Sequence, residues 1–501
     1  MSDSVSVTTA QGALAGRPLG DGGSLFAGIP FAEAPVGALR LRPPQPPRPW
    51  EGMRDATAFG ASPPQNPDPW ASPDAEYQED CLQLNVWTPD VRGRRPVMVW
   101  IYGGAFESGS AVPPGTDGQL LMRGGDVVVV SLNYRIGALG FLDLTGVGGA
   151  AWSGSVNVGL QDQVAALRWV RRNIARFGGD PDDVCVFGVS AGASSVGCLL
   201  AMPSARGLFR RAALMSPPVS RVYTPATARR LATDLLDAVG VRRPEQLLGT
   251  PVERILAAQR QIVPADMGTR ALPGGRSWGP VLDGTVLPRT PVRAAEDGDT
   301  VDVPLLIGAN RDEMLAAEAF GQPGTAPPTA GALYDEIAGA VGGAAARGLL
   351  DAYRAAEPDA TTTRLRLRFL SDYLYRVPAA RLAETHTRAG GTAYRYLFAA
   401  DLPVVGPSHG MEVALVLGHD DTDPLAELYR QWPGSAELGR RMMTAWSAFA
   451  RTGDPGWAPH TPGAADVHVF GAHGPVAEPP DNTAVFWQRA THPPTVPEAA
   501  A

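Results

Sequence analysis

Three short strings in this chain set a serine between two glycines at two-residue spacing: Gly188–Gly192 (GVSAG), Gly275–Gly279 (GRSWG) and Gly406–Gly410 (GPSHG). A serine hydroxyl is inert at neutral pH and becomes a nucleophile only beside a base and fixed donors for an oxyanion. The chemistry in view is therefore acyl transfer. With 58 Gly in the sequence such matches arise by chance, so the surroundings decide. Ser190 follows the apolar run VCVF (184–187) and precedes the small, apolar AGASSVGCLL (191–200). Strand, sharp turn and helix in that order lift a nucleophile clear of a sheet. Ser277 lies in the turn-rich RALPGGRSWGPVLDG, and Ser408 follows Pro407 in LPVVGPSHGME, without that context. Ser190 is the predicted nucleophile.

One oxyanion donor is expected from the residue after the nucleophile, Ala191. Others should come from a Gly-rich loop after an earlier strand, here WIYGGAF (100–106), where small residues admit a substrate carbonyl close to the backbone. Seven histidines are available as base: His386, His409, His419, His460, His468, His473 and His492. All follow residue 190, so chain order does not choose among them. His386 reads as helical and the last four lie in a Pro/Gly-rich tail, while His409 sits in a Gly-flanked loop and is preferred. Glu313, just beyond the apolar PLLIG (304–308), is the candidate acid, with Asp312 as its rival. No HExxH occurs, and neither a metal nor a cofactor is expected.

These residues need a rigid frame. PVMVWI (96–101), VVVVSL (127–132), VCVF (184–187) and PLLIG read as strands buried on both faces. Asp162–Phe177 has helical spacing and ends at Gly178-Gly179, a C-cap. Alternating strand and helix predict a parallel sheet. Residues 315–400 read as mostly helical, packed over or beside the sheet, and the Pro-rich stretch to Trp70 as a surface wrap. With no repeats or long linkers, residues 1–501 are expected to form one domain.

The 501 residues are enough for a large core. All 43 basic residues are Arg, and the net charge of −8 disfavours nucleic acid or an anionic membrane as partner. Cys81, Cys185 and Cys198 are too few for a disulfide framework. The start MSDSVSVTTAQG is not a secretory signal, and no apolar run suffices for a membrane span. The expectation is a cytoplasmic enzyme, a monomer or small homo-oligomer.

Longer strings carry a resemblance. FAGIPFAEAPVGALRLRPPQPPRPW (26–50), EDCLQLNV (79–86), NYRIGALG (133–140), the stretch from Asn157 to Gly192, GPVLDGTVLP (279–288) and ARTGDP (450–455) resemble the blocks of the type-B carboxylesterases, which include cholinesterases and bacterial para-nitrobenzyl esterases. The resemblance implies an α/β-hydrolase fold: a large, mostly parallel sheet flanked by helices, with helical insertions over the active site. It implies hydrolysis of small-molecule esters by Ser190, Glu313 and His409 through an acyl-enzyme, with an amidase or carbamate hydrolase as the alternative. A non-catalytic binding member of the fold is disfavoured by the intact triad. The implied oxyanion donors are the N–H groups of Gly104, Ala105 and Ala191. Ion pairs of Arg135 with Asp162, and of Glu79 with Arg40 or Arg42, are implied as scaffold. Cys81 is expected to be a free, packed thiol. Two departures stand out: Val189 replaces the usual Glu before the nucleophile, which argues against choline esters, and Tyr102 stands where most bacterial members have His. Trp70, Phe106 and Glu107 are candidates to line the approach to the site.

Overall fold

Unalternating apolar runs need cover on both faces, and the middle of the chain folds accordingly. The computed structural model describes residues 5–20, 22–67, 75–112, 117–319, 329–418, 426–471, 476–477 and 481–489. Their strands, in chain order, are β1 Val5–Thr8, β2 Ala13–Pro18, β3 Ser24–Pro30, β4 Met53–Asp55, β5 Gln83–Thr88, β6 Arg95–Ile101, β7 Val128–Leu132, β8 Gly179–Val189, β9 Arg211–Met215, β10 Leu305–Asn310, β11 Ala393–Phe398, β12 Asp466–Phe470 and β13 Val476–Ala477. The order across the sheet is β1-β2-β3-β5-β7-β6-β8-β9-β10-β11-β12-β13, with β4 on β2. From β7 to β12 every pairing is parallel, and β1, β2, β3 and β5 extend one side antiparallel. Helices cover the sheet, giving the expected large, mostly parallel α/β architecture.

Four expectations shift in detail. β8 begins at Gly179, because Gly179 pairs with Arg95 ahead of the apolar VCVF. The helix read from Asp162 starts at Val158: Asn157, at φ 55°, exchanges two 2.8 Å bonds with the Val281 backbone, a tertiary cap that no local signal announces. The helix closes through a 3-10 turn, Ile174–Phe177, onto Gly178 in the left-handed region. Residues 315–400 are not helical throughout, since AYRYLF (393–398) is β11, inserted between β10 and β12. The N-terminal stretch is more than a surface wrap: β3 buries Leu25, Phe26, Ala27 and Ile29 in the main core.

A second apolar cluster lies among helices Ala330–Val341, Gly343–Ala356 and Thr362–Ser371, closed by Trp487. It includes Met314, next to Glu313, and Tyr375, so this helical layer abuts the candidate acid. Tyr375 sits in a π-helical turn, Asp372–Arg376, an irregularity common at functional sites.

The implied ion pairs form. Arg135 bonds Asp162 through Nε (2.8 Å) and Nη2 (2.6 Å), and its own N–H adds a 3.0 Å bond to the same carboxylate; both side chains are buried. Glu79 pairs with Arg40, at 2.6 and 2.5 Å, not with Arg42, which lies over the Trp152 ring. Cys81, Cys185 and Cys198 are free and buried. Burial raises all three thiols, Cys185 to about 12. Native protein is therefore expected to give no reaction with a thiol-specific disulfide reagent at pH 8, and three equivalents once denatured. A rapid native equivalent would contradict this burial.

Candidate active site

The turn between β8 and helix Ala191–Ala201 holds Ser190 at φ 56° and ψ −125°, a conformation L-residues adopt only under constraint. The Ser190 N–H donates to the Met215 carbonyl (2.9 Å), and its carbonyl receives the Ser194 N–H (2.8 Å). Gly192 is required by close approach: a Cβ there would overlap the Ile101 and Tyr102 carbonyl oxygens at the end of β6. β6 and β8 are neighbours, so the loop after β6 lies beside Ser190. A Cβ on Gly103 would stand 3.0 Å from that of Ser190.

That loop is itself strained. Gly104, Ala105 and Phe106 all have positive φ, 114°, 56° and 64°. Gly104 tolerates no Cβ, which would overlap the Ser108 carbonyl. The Gly104 carbonyl accepts from Glu107 N (2.9 Å) and Ser108 N (3.0 Å), the Phe106 carbonyl from Gly137 N (2.5 Å), and the Phe106 ring meets Phe141 edge-on. Among the described residues, the N–H groups of Gly104, Ala105 and Ala191 have no acceptor in the protein. Successive free N–H groups in such a turn, with a helix N-terminus beside them, form a receptor for negative charge.

The candidate acid follows β10. Glu313 is buried; its Oε1 accepts the Asn310 N–H (2.7 Å) and its Oε2 lies 2.6 Å from His409 Nδ1. The His409 N–H also donates to the Glu313 carbonyl (2.9 Å). Burial works against the imidazolium, but the charge and hydrogen bond of Glu313 outweigh it and hold His409 above the usual histidine value. The His409 ring lies on Tyr375, centroids 4.3 Å apart. Its Nε2 is buried without a hydrogen-bond partner, and no bond to Ser190 Oγ is formed. Such links are often loose without substrate and tighten when it binds.

The remaining candidates are engaged elsewhere. Asp312 pairs with Arg311 and Arg364. His386 bonds Thr300 and is lowered to about 4 by burial; His460 bonds Glu384; His468 stacks on Trp457. His419, His473 and His492, and Trp70, lie outside the described residues. Ser408 Oγ accepts the Ala316 N–H (2.9 Å), and the buried Ser277 Oγ accepts from Arg221 and Arg270. Val189 is buried and brings no charge to the site. Tyr102 stacks on Tyr134, and each hydroxyl bonds the other residue's carbonyl, so this ring braces the loop.

Sequence reading passed over Glu412. It is fully buried, its Oε2 receives Asn310 Nδ2 (2.5 Å) and its Oε1 the Ser216 hydroxyl (3.3 Å). Asn310 Nδ2 also bonds the Ser408 carbonyl (2.6 Å), tying the acid strand to the histidine loop. Burial and the nearby Glu313 charge hold Glu412 up at about 7. Its one sequence signal is a carboxylate alone in the apolar MEVALVL. Among the described residues, no cluster of three or more His, Cys, Asp or Glu side chains suits a metal, and no helix is long and apolar enough to cross a membrane.

Known proteins share this architecture. The model of the "Carboxylesterase family" matches residues 3–464. The chain is 35% identical to the para-nitrobenzyl esterase of Bacillus subtilis (strain 168), over 90% of each chain. It is 34% identical to the phenmedipham hydrolase of Pseudarthrobacter oxydans, over 88% of each. The crystal structure of a Geobacillus stearothermophilus carboxylesterase superposes with a TM-score of 0.87 at 37% identity, covering 96% of this chain and all of that one.

Proposed function

The chain belongs to the carboxylesterase family and is a carboxylic ester hydrolase of the α/β-hydrolase fold, and from that premise we propose that Ser190, Glu313 and His409 carry out the reaction through an acyl-enzyme. His409 Nε2 takes the Ser190 proton as Oγ adds to the ester carbonyl. The oxyanion is received by the N–H groups of Gly104, Ala105 and Ala191. His409 returns the proton to the departing alcohol, leaving Ser190 acylated. Water then attacks with His409 again as base, and the acid is released. Glu313 holds the ring with Nε2 toward the nucleophile and stabilises the imidazolium. What chiefly supports this reading is the 2.6 Å Glu313–His409 bond, with the opposite ring nitrogen left without a partner. The helical layer and the sheet act together in this scheme, because Tyr375 of that layer rests on His409. The substrate is a small-molecule ester.

Labelling with a fluorophosphonate and mapping the adduct tests the assignment. The label is expected on Ser190; a label on Ser277, or none on protein that hydrolyses p-nitrophenyl butyrate, overturns it.

Glu412 gives a pH signature. Its ionised form adds negative charge beside His409 and raises the imidazole pKa. The base must be neutral to act, so the acid limb of kcat/KM follows that pKa. Glu412→Gln is expected to move the limb to lower pH; a limb that stays or rises removes Glu412 from the site's electrostatics. The sign for stability follows from the same group. Glu412 holds its proton more tightly folded than unfolded, so the folded state is favoured below about 4.5 and progressively less as pH rises toward about 7. Glu412→Gln should flatten that part of the stability curve, read by urea unfolding across the range.

A further inference from the structure

The wall beside the candidate oxyanion loop carries more positive charge than its partners balance. Arg270 pairs with Glu107 and donates to Ser277 Oγ (3.2 Å); its side chain is only 10% exposed. Arg221 donates from Nη2 to the same hydroxyl (2.8 Å) and to Tyr223 (3.4 Å). Among the described residues Arg221 has no carboxylate within ion-pair distance. Nε of both arginines is buried without a partner. Two guanidinium groups thus have one carboxylate and two hydroxyls between them, an arrangement normally costly unless a further anion completes it.

This cluster borders the candidate site. Glu107 is the residue whose N–H closes onto the Gly104 carbonyl. Tyr223 and Phe106 both pack around Gly279. The Tyr375 ring that lies on His409 is within electrostatic reach of both arginines. Arg270 is thus tied through Glu107 to the candidate oxyanion loop, and Arg221 joins it through the shared Ser277 hydroxyl. We propose that Arg221, backed by Arg270, forms an anion subsite for a carboxylate on the substrate, so that the preferred esters carry one in their acyl or alcohol part. Guanidinium suits this role because its planar fork matches a carboxylate and it stays charged when desolvated. The subsite rests on the ester-hydrolase reading above.

The test compares kcat/KM within two pairs, at low salt and normalised to hydroxide rates. The first is p-nitrophenyl hydrogen glutarate against p-nitrophenyl pentanoate, with the charge in the acyl part. The second is 4-carboxyphenyl butyrate against phenyl butyrate, with the charge in the leaving group. In at least one pair the anionic ester is expected to be favoured by about tenfold or more, the order of one charge-assisted bond. Arg221→Met should abolish that preference, Arg221→Lys should restore part of it, and Glu107→Gln should increase it by removing the competing carboxylate. No anionic preference in either pair overturns the subsite, as does a preference that Arg221→Met leaves intact. If Arg221→Met does not fold, the wild-type ratios and their loss at high salt decide alone. The two readings fail separately: hydrolysed neutral esters and a labelled Ser190 with flat ratios remove only the subsite, whereas no hydrolysis and no label remove the triad.

Discussion

Ser190→Ala is expected to lower kcat on p-nitrophenyl butyrate by on the order of 10⁶-fold, the scale seen when a triad nucleophile is removed. A residue of about 10³–10⁴-fold over water should survive, from binding and oxyanion stabilisation alone. The geometry explains why the loss should be so large. Ser190 occupies a positive-φ turn that the chain maintains at a cost of about 1–3 kcal/mol, beside the candidate oxyanion loop. Neither Ser277→Ala nor Ser408→Ala should approach this effect, because those hydroxyls bond arginines and a backbone N–H respectively. More than about one percent of wild-type activity in Ser190→Ala, well above that scale, would move the nucleophile elsewhere.

The largest effect on stability is expected at Asp162→Asn, about 3–5 kcal/mol, because it strands a buried guanidinium. Three hydrogen bonds join Asp162 to Arg135, and neither side chain reaches solvent. Urea unfolding followed by tryptophan fluorescence at pH 7 reads the loss. Arg135→Met should cost a similar amount, and the double variant clearly less than the sum, since the two substitutions remove the same pair. Additive losses would mean that the charges are not coupled. The pair also bears on chemistry. Arg135 lies between Tyr134, which holds Tyr102, and Gly137, whose N–H fixes the Phe106 carbonyl. Loosening it should disturb the loop before the sheet.

The strand, turn and helix around Ser190 were legible because their signal is local: an apolar run, two glycines and a small-residue stretch close together in sequence. β6, β7 and β10 were legible for the same reason. His409 was preferred for its Gly-flanked loop and Glu313 for its place just beyond a strand, with Asp312 left as a rival; what separates the two carboxylates is the partner each reaches, His409 for Glu313 and Arg311 and Arg364 for Asp312. Glu412, Tyr375, Arg221 and Arg270 carried no such signal. They converge only through tertiary packing, from loops, the short helix Met267–Ala271 and a π-helical turn whose sequence neighbours say nothing of the partner. The missed strand β11 teaches the same point. AYRYLF becomes a strand because β10 and β12 flank it, and neither neighbour is adjacent in sequence. The start of the helix at Val158 depends on Asn157 reaching Val281, 124 residues away.

From β8 onward the sheet adds strands in the order of synthesis, β8, β9, β10, β11 and β12. A growing polypeptide that folds from its N-terminus would therefore install the candidate oxyanion loop and Ser190 first, the proposed acid beyond β10 next, and the proposed base last. Until the segment bearing His409 has docked against β10, the exposed serine has nothing to take its proton. With the proposed triad, hydrolytic competence is thus deferred to a late stage of biogenesis, and a prematurely terminated chain would be chemically silent.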